Sequence, residues 1–516
     1  MSQYIPSDNV IASRRATIGA LFHARVPANA DHVAVVEGDR ALSFAELEDR
    51  SNRLANGLMA MGLSRGDRVG LLARNCLEYM EVELAAAKAG LILACLNWRL
   101  GDRELTHCIN LVEPEVVIVQ EALTETLDRL DLHPHRRIVI GGAIGADYED
   151  VLTAGASTYP DLDLDPEDGL VILYTSGTTG LPKGALVSHR AMVARGLCYT
   201  SEFQVPIGDN FCAWPPFYHM ASTDQALTTL LRGGTVHVVD GYEPDLLIDF
   251  LERFEARFFI LMPGMVGPFA EILKARQVKI KGIGICGAMA DLVPRKDIAA
   301  ATLALDAPYN NSFGATETGL PPASSNLIPV GVAPTNFAKR QSSYCELRLV
   351  DPDDIEVPIG TPGEVAMRGP TLFSGYWNAD ETNAQDFRNG WFHMGDVLRR
   401  NEDGTLDYVD RVKYMIKSGG ENIYPAEIEQ VLLTDPRVHE AVVVRRPDRK
   451  WSEIPVAFIV PADPTLTADE LMDLCRDNLS SYKRPKDIIF VTEEDLPRST
   501  TGKVQRHELE ARLPTE

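Results

Sequence analysis

The sequence predicts an α/β protein: a large N-terminal domain of mixed sheets flanked by helices, then a small α+β domain at the C-terminal end. Three observations predict it. Strand-like apolar runs alternate with helical patterns over residues 1–168. Residues 426–496 carry a second, shorter mixture of helices and strands. A chain of 516 residues also buries more than one core.

The elements follow in order. Ser43 is a good N-cap for a helical pattern running through Leu63. Arg68–Leu72 reads as a strand, 77–90 as an alanine-rich helix and Val116–Val119 as a further strand. Leu170–Leu173 has strand composition and stops at Tyr174, and Ser188 opens a helix reaching about Tyr199. Residues 235–239, 258–262 and 282–287 read as strands of a second sheet. The C-terminal unit reads as helix 426–433, strands 440–445 and 454–460, helix 467–479 and strand 487–491. Residues 1–168 offer no chemistry and read as scaffold.

Composition narrows the partners. Hydrophobic residues at 45% and charged residues at 24% describe an ordinary globular chain, and no run approaches a membrane span. The formal charge of −24 argues against nucleic acid and anionic membrane surfaces. Any anion site must therefore build its own local positive patch. The eight cysteines are scattered, with no CxxC pair, which points neither to zinc nor to a disulfide framework and fits a reducing compartment. Arg14 and Arg15 precede no apolar segment, so no signal peptide is read.

The most informative stretch is Gly169 to Gly184, GLVILYTSGTTGLPKG. A strand feeding a loop of glycines and hydroxyls presents backbone N–H groups and O–H donors to an anion. Thr175, Ser176, Gly177, Thr178 and Thr179 supply that loop, and Lys183 adds a positive charge. It is not a Walker A loop, because Lys183 is preceded by Pro182 and followed by Gly184. The string resembles the signature loop of the adenylate-forming superfamily: acyl-CoA synthetases, aryl-CoA ligases, non-ribosomal adenylation domains and firefly-type luciferases.

Further motifs carry the resemblance in order along the chain. His219, in Trp214–Met220, matches an aromatic-His motif of CoA ligases, whose ring borders the acyl channel; Asp224 leaves an amino-acid substrate open. Gly287 and Ala288 match a segment beside adenine and the acyl pocket. Asn311, Ser312, Phe313, Gly314, Thr316 and Glu317 match an aromatic-Gly-x-Thr-Glu pattern. The resemblance implies that Phe313 stacks on adenine, Thr316 donates to the α-phosphate, and Glu317 with Thr175 holds Mg²⁺. The implied acyl pocket is His219, Thr223, Gly287, Ala288, Gly314 and Gly319. Asn336–Gln341 departs from the family's Gly-Ser-Val-Gly-Arg-Pro-like turn, with Lys339 in place of a glycine, which puts that loop's shape in doubt. Asp396, in Gly390–Asp396, is implied to bind both ribose hydroxyls, with Arg411 beside it. Lys413 is the implied hinge of a mobile C-terminal domain, which places the boundary at 410/411 and implies domains of residues 1–410 and 411–516. Lys417, Ser418, Gly419, Gly420, Glu421 and Asn422 match a loop near the CoA thiol, and Lys503 matches a C-terminal lysine that bridges carboxylate and α-phosphate.

The resemblance implies two half-reactions with ATP, Mg²⁺ and coenzyme A. A carboxylate displaces pyrophosphate from ATP to give acyl-AMP, and the CoA thiol then displaces AMP. No protein nucleophile is needed. The alternatives are loading of a carrier protein in trans, a luciferase-like oxidase, or a non-catalytic nucleotide-binding protein of the same fold. The pocket candidates are small or apolar, which favours a fatty, aryl, alicyclic or steroid side-chain acid and disfavours a dicarboxylic one. A cytoplasmic location and a homodimer complete the expectation.

Overall fold

The computed structural model describes residues 7–141, 146–175, 181–419, 421–498 and 504–514. Its described residues form two compact units. The first runs up to Glu346 and takes in Arg368–Phe387; the second is Leu347–Met367 with Arg388 onward. The 410/411 boundary was drawn from the implied hinge, which concerns motion rather than compactness, and it belongs with the proposed function below.

A seven-stranded sheet dominates the first unit. Its order is Ala146–Asp147, Arg136–Ile140, Val116–Gln120, Arg68–Leu72, Ile92–Cys95, Gly169–Thr175 and Lys183–Ser188. All pairs are parallel except the last. Central strands such as Ile92–Cys95 are buried throughout, as parallel strands covered on both faces must be. Ser43 caps the helix Phe44–Ala60 in a reciprocal box with Glu46, as its sequence predicts. The helix Leu77–Ala89 is buried at every position.

The structure departs from the sequence reading in three places. Residues 183–188, given no strand by the sequence, form the strand Lys183–Ser188, antiparallel to Gly169–Thr175 and ahead of the helix His189–Phe203. Its short apolar run, Ala185–Val187, pairs along the sheet edge. The strand expected at 258–262 is Glu255–Phe259; the apolar residues that follow leave the sheet for a tight turn at Pro263–Met265. The expected second sheet is also two sheets. Thr235–Val238 pairs with Asn210–Ala213 and Val33–Glu37, whereas Glu255–Phe259 and Gly282–Cys286 pair with each other.

The second unit holds two sheets. Glu346–Val350, Pro362–Arg368, Phe392–Arg400 and Leu406–Arg411 form one. The other is built on the long antiparallel pair Val438–Asp448 and Ser452–Pro461. Alternation along that pair makes two cores. Ala441, Val443, Ala457 and Ile459 pack under the helices Pro425–Leu432 and Ala468–Asn478, and Val442, Val444, Val456 and Phe458 pack against Leu509 and Leu513. Among the described residues no helix is long and apolar enough to cross a membrane.

All eight cysteines are thiols, seven of them buried and Cys345 half-buried. Burial lifts all eight. Cys475 is pushed up to about 11, and Cys286 and Cys345 to about 12.

Candidate active site

In the first unit two of the candidate residues, Thr175 and Lys183, lie on the last two strands of the large sheet. Thr175 ends one strand and Lys183 begins its neighbour as register partners, so the hydroxyl-rich stretch joins these two strands. Ser176, Gly177, Thr178 and Thr179 themselves lie outside the described residues. Thr175 Oγ1 is buried and has no hydrogen-bond partner among the described residues. A buried hydroxyl in that position costs stability until something accepts its proton or coordinates its oxygen.

Residues 374–377 run beside Lys183–Ser188 and meet it in an isolated antiparallel bridge between Tyr376 and Ala185. Ser374 N donates to Leu186 O at 2.7 Å, Leu186 N to Gly375 O at 3.0 Å, and Trp377 N to Gly184 O at 2.8 Å. This strap delivers Tyr376, a residue the sequence reading missed. Its ring centroid lies 3.7 Å from Lys183 Nζ, and its hydroxyl donates to Glu317 Oε1 at 2.7 Å. Asp386 Oδ2 is 3.9 Å from the same Nζ. One tyrosine thus ties Lys183, expected at a phosphate loop, to the acid expected to hold metal. The sequence signal was the aromatic pair Tyr376-Trp377 after Gly375.

Thr316 and Glu317 sit at the tip of a hairpin formed by Gly314–Ala315 and Gly319–Pro322. Phe373 N donates to Glu317 O at 2.9 Å, so the strap holds the acid at main chain and side chain alike. Phe313 is half-buried and anchored by its N–H to Ala323 O at 3.0 Å. Ser312 Oγ accepts from Met289 N at 3.0 Å, joining the 311–317 segment to the 287–290 turn. In that turn Gly287 has φ +76°, and a Cβ there would lie 2.1 Å from the Tyr309 ring, so only glycine fits. The Tyr309 hydroxyl donates to Ala288 O at 2.9 Å.

Of the other acyl-side candidates, His219 is exposed and its Nδ1 caps the helix Met220–Leu231 by accepting from Ala221 N at 3.1 Å. That bond leaves the proton on Nε2 when the ring is neutral. Thr223 is fully buried and donates to Phe217 O. Asp224 is 5% exposed and faces Arg195, with Oδ2 3.4 Å from Nη1. One carboxylate oxygen faces a guanidinium, and the other, Oδ1, is buried with no hydrogen-bond partner among the described residues.

Lys339 resolves the unusual 336–341 segment. Its φ lies outside the left-handed region, so the backbone there does not call for glycine. The side chain is fully buried and donates to Asp291 Oδ2 at 2.5 Å and Asn311 Oδ1 at 2.6 Å. Asn311 in turn donates to Phe337 O and Ala338 O at 3.0 and 3.1 Å. The lysine therefore braces the segment leading to Phe313.

The second unit carries the ribose candidates. Asp396 and Arg411 are register partners on adjacent strands. Arg411 Nε donates to Asp396 Oδ1 at 2.9 Å and Nη2 to Oδ2 at 3.3 Å. Asp396 is 3% exposed, and its charge, ahead of the opposing effect of burial, raises the Arg411 pKa. The adjoining Asp410 is pushed up to about 6 by burial, against the pull of Arg506 and the N–H groups of Ala426 and Arg411. Lys413 lies in the turn Val412–Tyr414, its Nζ 4.9 Å from the Tyr414 ring. Lys417 and Ser418 pair with Asn422 and Glu421 in a tight hairpin, and Gly419 N donates to Trp451 O at 2.8 Å. Gly420 and Lys503 lie outside the described residues.

The donor set suits a nucleotide with a hard cation. Among the described residues no three His, Cys, Asp or Glu side chains converge as a metal cage. Mg²⁺ prefers one or two carboxylates and takes its other oxygens from phosphates and water, for which Glu317 and the unpartnered Thr175 hydroxyl are suited.

Comparison with known proteins decides the family. The profile described as "AMP-binding enzyme" matches residues 22–377, and the profile described as "AMP-binding enzyme C-terminal domain" matches 427–503. The chain belongs to the AMP-binding enzyme family. It is 34% identical over 485 residues to a feruloyl-CoA synthase of Amycolatopsis sp., covering 93% of this chain and 96% of that protein. It is 31% identical over 487 residues to an indoleacetate–CoA ligase of Aromatoleum aromaticum, covering 91% and 93%. The crystal structure of the anthranilate CoA ligase AuaEII in complex with anthranoyl-AMP superposes with a TM-score of 0.82 at 25% identity, covering 97% of this chain and 98% of that one.

In this AMP-binding enzyme, Lys339→Met should lower the free energy of urea unfolding by about 2 kcal/mol, below the 3–5 kcal/mol of a fully buried pair because Asp291 is partly exposed. Adding Asp291→Asn should recover part of that loss. An unchanged unfolding midpoint in Lys339→Met would remove the bracing role.

Proposed function

We propose that this AMP-forming acyl-CoA synthetase activates a neutral, hydrophobic carboxylic acid, with a fatty, aryl, alicyclic or steroid side-chain body, and transfers it to coenzyme A. The observation that carries the reading is the Tyr376 contact, which joins Glu317 and Lys183 through one side chain. A carboxylate and a triphosphate repel, so adenylation needs fixed positive charge where negative charge gathers on the α-phosphate. Lys183 and Lys503 supply that charge in this reading, Thr316 donates to the α-phosphate, and Asp396 with Arg411 grips the ribose. Mg²⁺ held by Glu317 and Thr175 neutralises phosphate oxygens.

The neutral substrate is supported by the ion pairing of Lys339 with Asp291 and of Arg195 with Asp224. Both of these buried cations, among the described residues, already have a counter-charge, so in this reading a second carboxylate on the acid would enter uncompensated. Lys413 is the proposed hinge between half-reactions, opening the domain 411–516, and 417–422 is the proposed CoA-side loop. A cytoplasmic location and a homodimer belong to the same reading.

The test is AMP release by the purified protein with ATP and Mg²⁺ across a panel of acids and amino acids, each with and without CoA. CoA-dependent release with one hydrophobic acid class is expected. Release indifferent to CoA would replace CoA by a carrier protein, and no release with any acid would overturn the enzyme reading.

A further inference from the structure

Arg195 lies on the helix His189–Phe203 and is 2% exposed, yet none of the expected chemistry uses it. Its guanidinium reaches three segments far apart in sequence. Nη2 donates to Thr316 O at 2.7 Å, Nε to Thr371 O at 3.1 Å, and Nη1 to Asp224 Oδ2 at 3.4 Å. Thr316 belongs to the hairpin tip that carries Glu317. Thr371 begins the strap that carries Tyr376 and, through it, the hold on Glu317 and Lys183. We infer that Arg195 is a positioning residue for adenylation: a buried post that fixes the Thr316–Glu317 tip and the 371–376 strap to one another.

The packing around it is built for this. Gly319 has φ +76°, and a Cβ there would stand 2.9 Å from Arg195 Cγ and 3.1 Å from Cδ, so the hairpin approaches the arginine only because residue 319 is glycine. The neighbouring Arg190 also donates to the strap, to Pro370 O and to Leu372 O. Asp224 orients the guanidinium from the helix Met220–Leu231. Glu83 faces the same cluster, buried, with neither carboxylate oxygen bonded among the described residues. Burial, and then the charge of Asp224, lift Glu83 well above the usual carboxylate range. The Arg195 charge is also within electrostatic reach of Glu317. A planar fork with fixed donors holds three oxygens in set directions; a lysine ammonium is a point charge on a flexible stem and does not.

This inference rests on the proposed adenylation chemistry, and the experiment separates the two. Acid-dependent ATP–pyrophosphate exchange, thioester formation from supplied acyl-adenylate, and calorimetric ATP binding with and without Mg²⁺ are measured for the parent chain, Arg195→Lys and Asp224→Asn. Absence of exchange in the parent would overturn the function and leave nothing for Arg195 to position. With an active parent, Arg195→Lys should lower exchange about 10- to 100-fold, as groups that orient metal- or substrate-binding residues do. Thioester formation from acyl-adenylate should stay within about threefold of the parent, on the same principle that the remote contact orients only adenylation groups. The tightening of ATP binding by Mg²⁺ should shrink, while binding without Mg²⁺ holds. Asp224→Asn keeps the arginine and loses its orienting charge; it should show the same asymmetry more weakly, and it decides the question if Arg195→Lys does not fold. Equal losses in both half-reactions, or unchanged exchange in the variant that folds, would overturn the positioning role.

Discussion

Replacing Glu317 by Gln is expected to lower acid-dependent ATP–pyrophosphate exchange about 10²- to 10³-fold, the scale set by removing one preorganised electrostatic contact from a transition state. The substitution is nearly isosteric. The amide oxygen still accepts from the Tyr376 hydroxyl, now 2.7 Å from Oε1, and the main-chain bond from Phe373 N to Glu317 O is untouched. What disappears is the negative charge that a hard divalent cation requires. ATP affinity measured without Mg²⁺ should therefore be unchanged, and the benefit of adding Mg²⁺ should fall. Exchange within threefold of the parent would remove Glu317 from the metal site.

The second large effect is asymmetric. Lys503→Ala should reduce adenylation by about 10²- to 10³-fold, equivalent to roughly 2.7–4 kcal/mol of transition-state stabilisation. Thioester formation from supplied acyl-adenylate should survive largely intact, because the phosphate-directed charge has done its part before the thiol arrives. The two half-reactions are assayed separately, by pyrophosphate exchange and by CoA consumption. A matching loss in both would contradict the assigned role.

What the sequence made legible follows a physical line. Elements whose cause is local were readable: the Ser43–Glu46 capping box, the strand Arg68–Leu72, and the alternating pair that builds the second unit's two cores. Asp396 and Arg411 were assigned to one ligand group, and strand register does set them side by side. Tyr376 and Arg195 were not readable, because each acts through residues far away in sequence. A tyrosine between a glycine and a tryptophan, or an arginine in mid-helix, looks like packing or surface until the pairing of distant segments is known. Lys339 illustrates a different limit. Against the family turn it read as a change of backbone freedom, whereas its importance lies in a buried ammonium placed between Asp291 and Asn311. The strand Lys183–Ser188 was missed because its apolar run is short, and sheet-edge pairing rather than propensity makes it a strand.

The buried cysteines bear on the chemical hygiene of the reaction. An acyl-adenylate is an electrophile that any thiolate can intercept, and self-acylation would consume both substrate and enzyme. With Cys475 lifted to about 11 and Cys286 and Cys345 to about 12, each of these thiols is ionised at neutral pH to about one part in ten thousand or less. The other five are raised as well and buried. Burial and the raised thiols thereby hold the chain's own sulfurs back from its intermediate, so the incoming CoA thiol meets weak competition of its own kind.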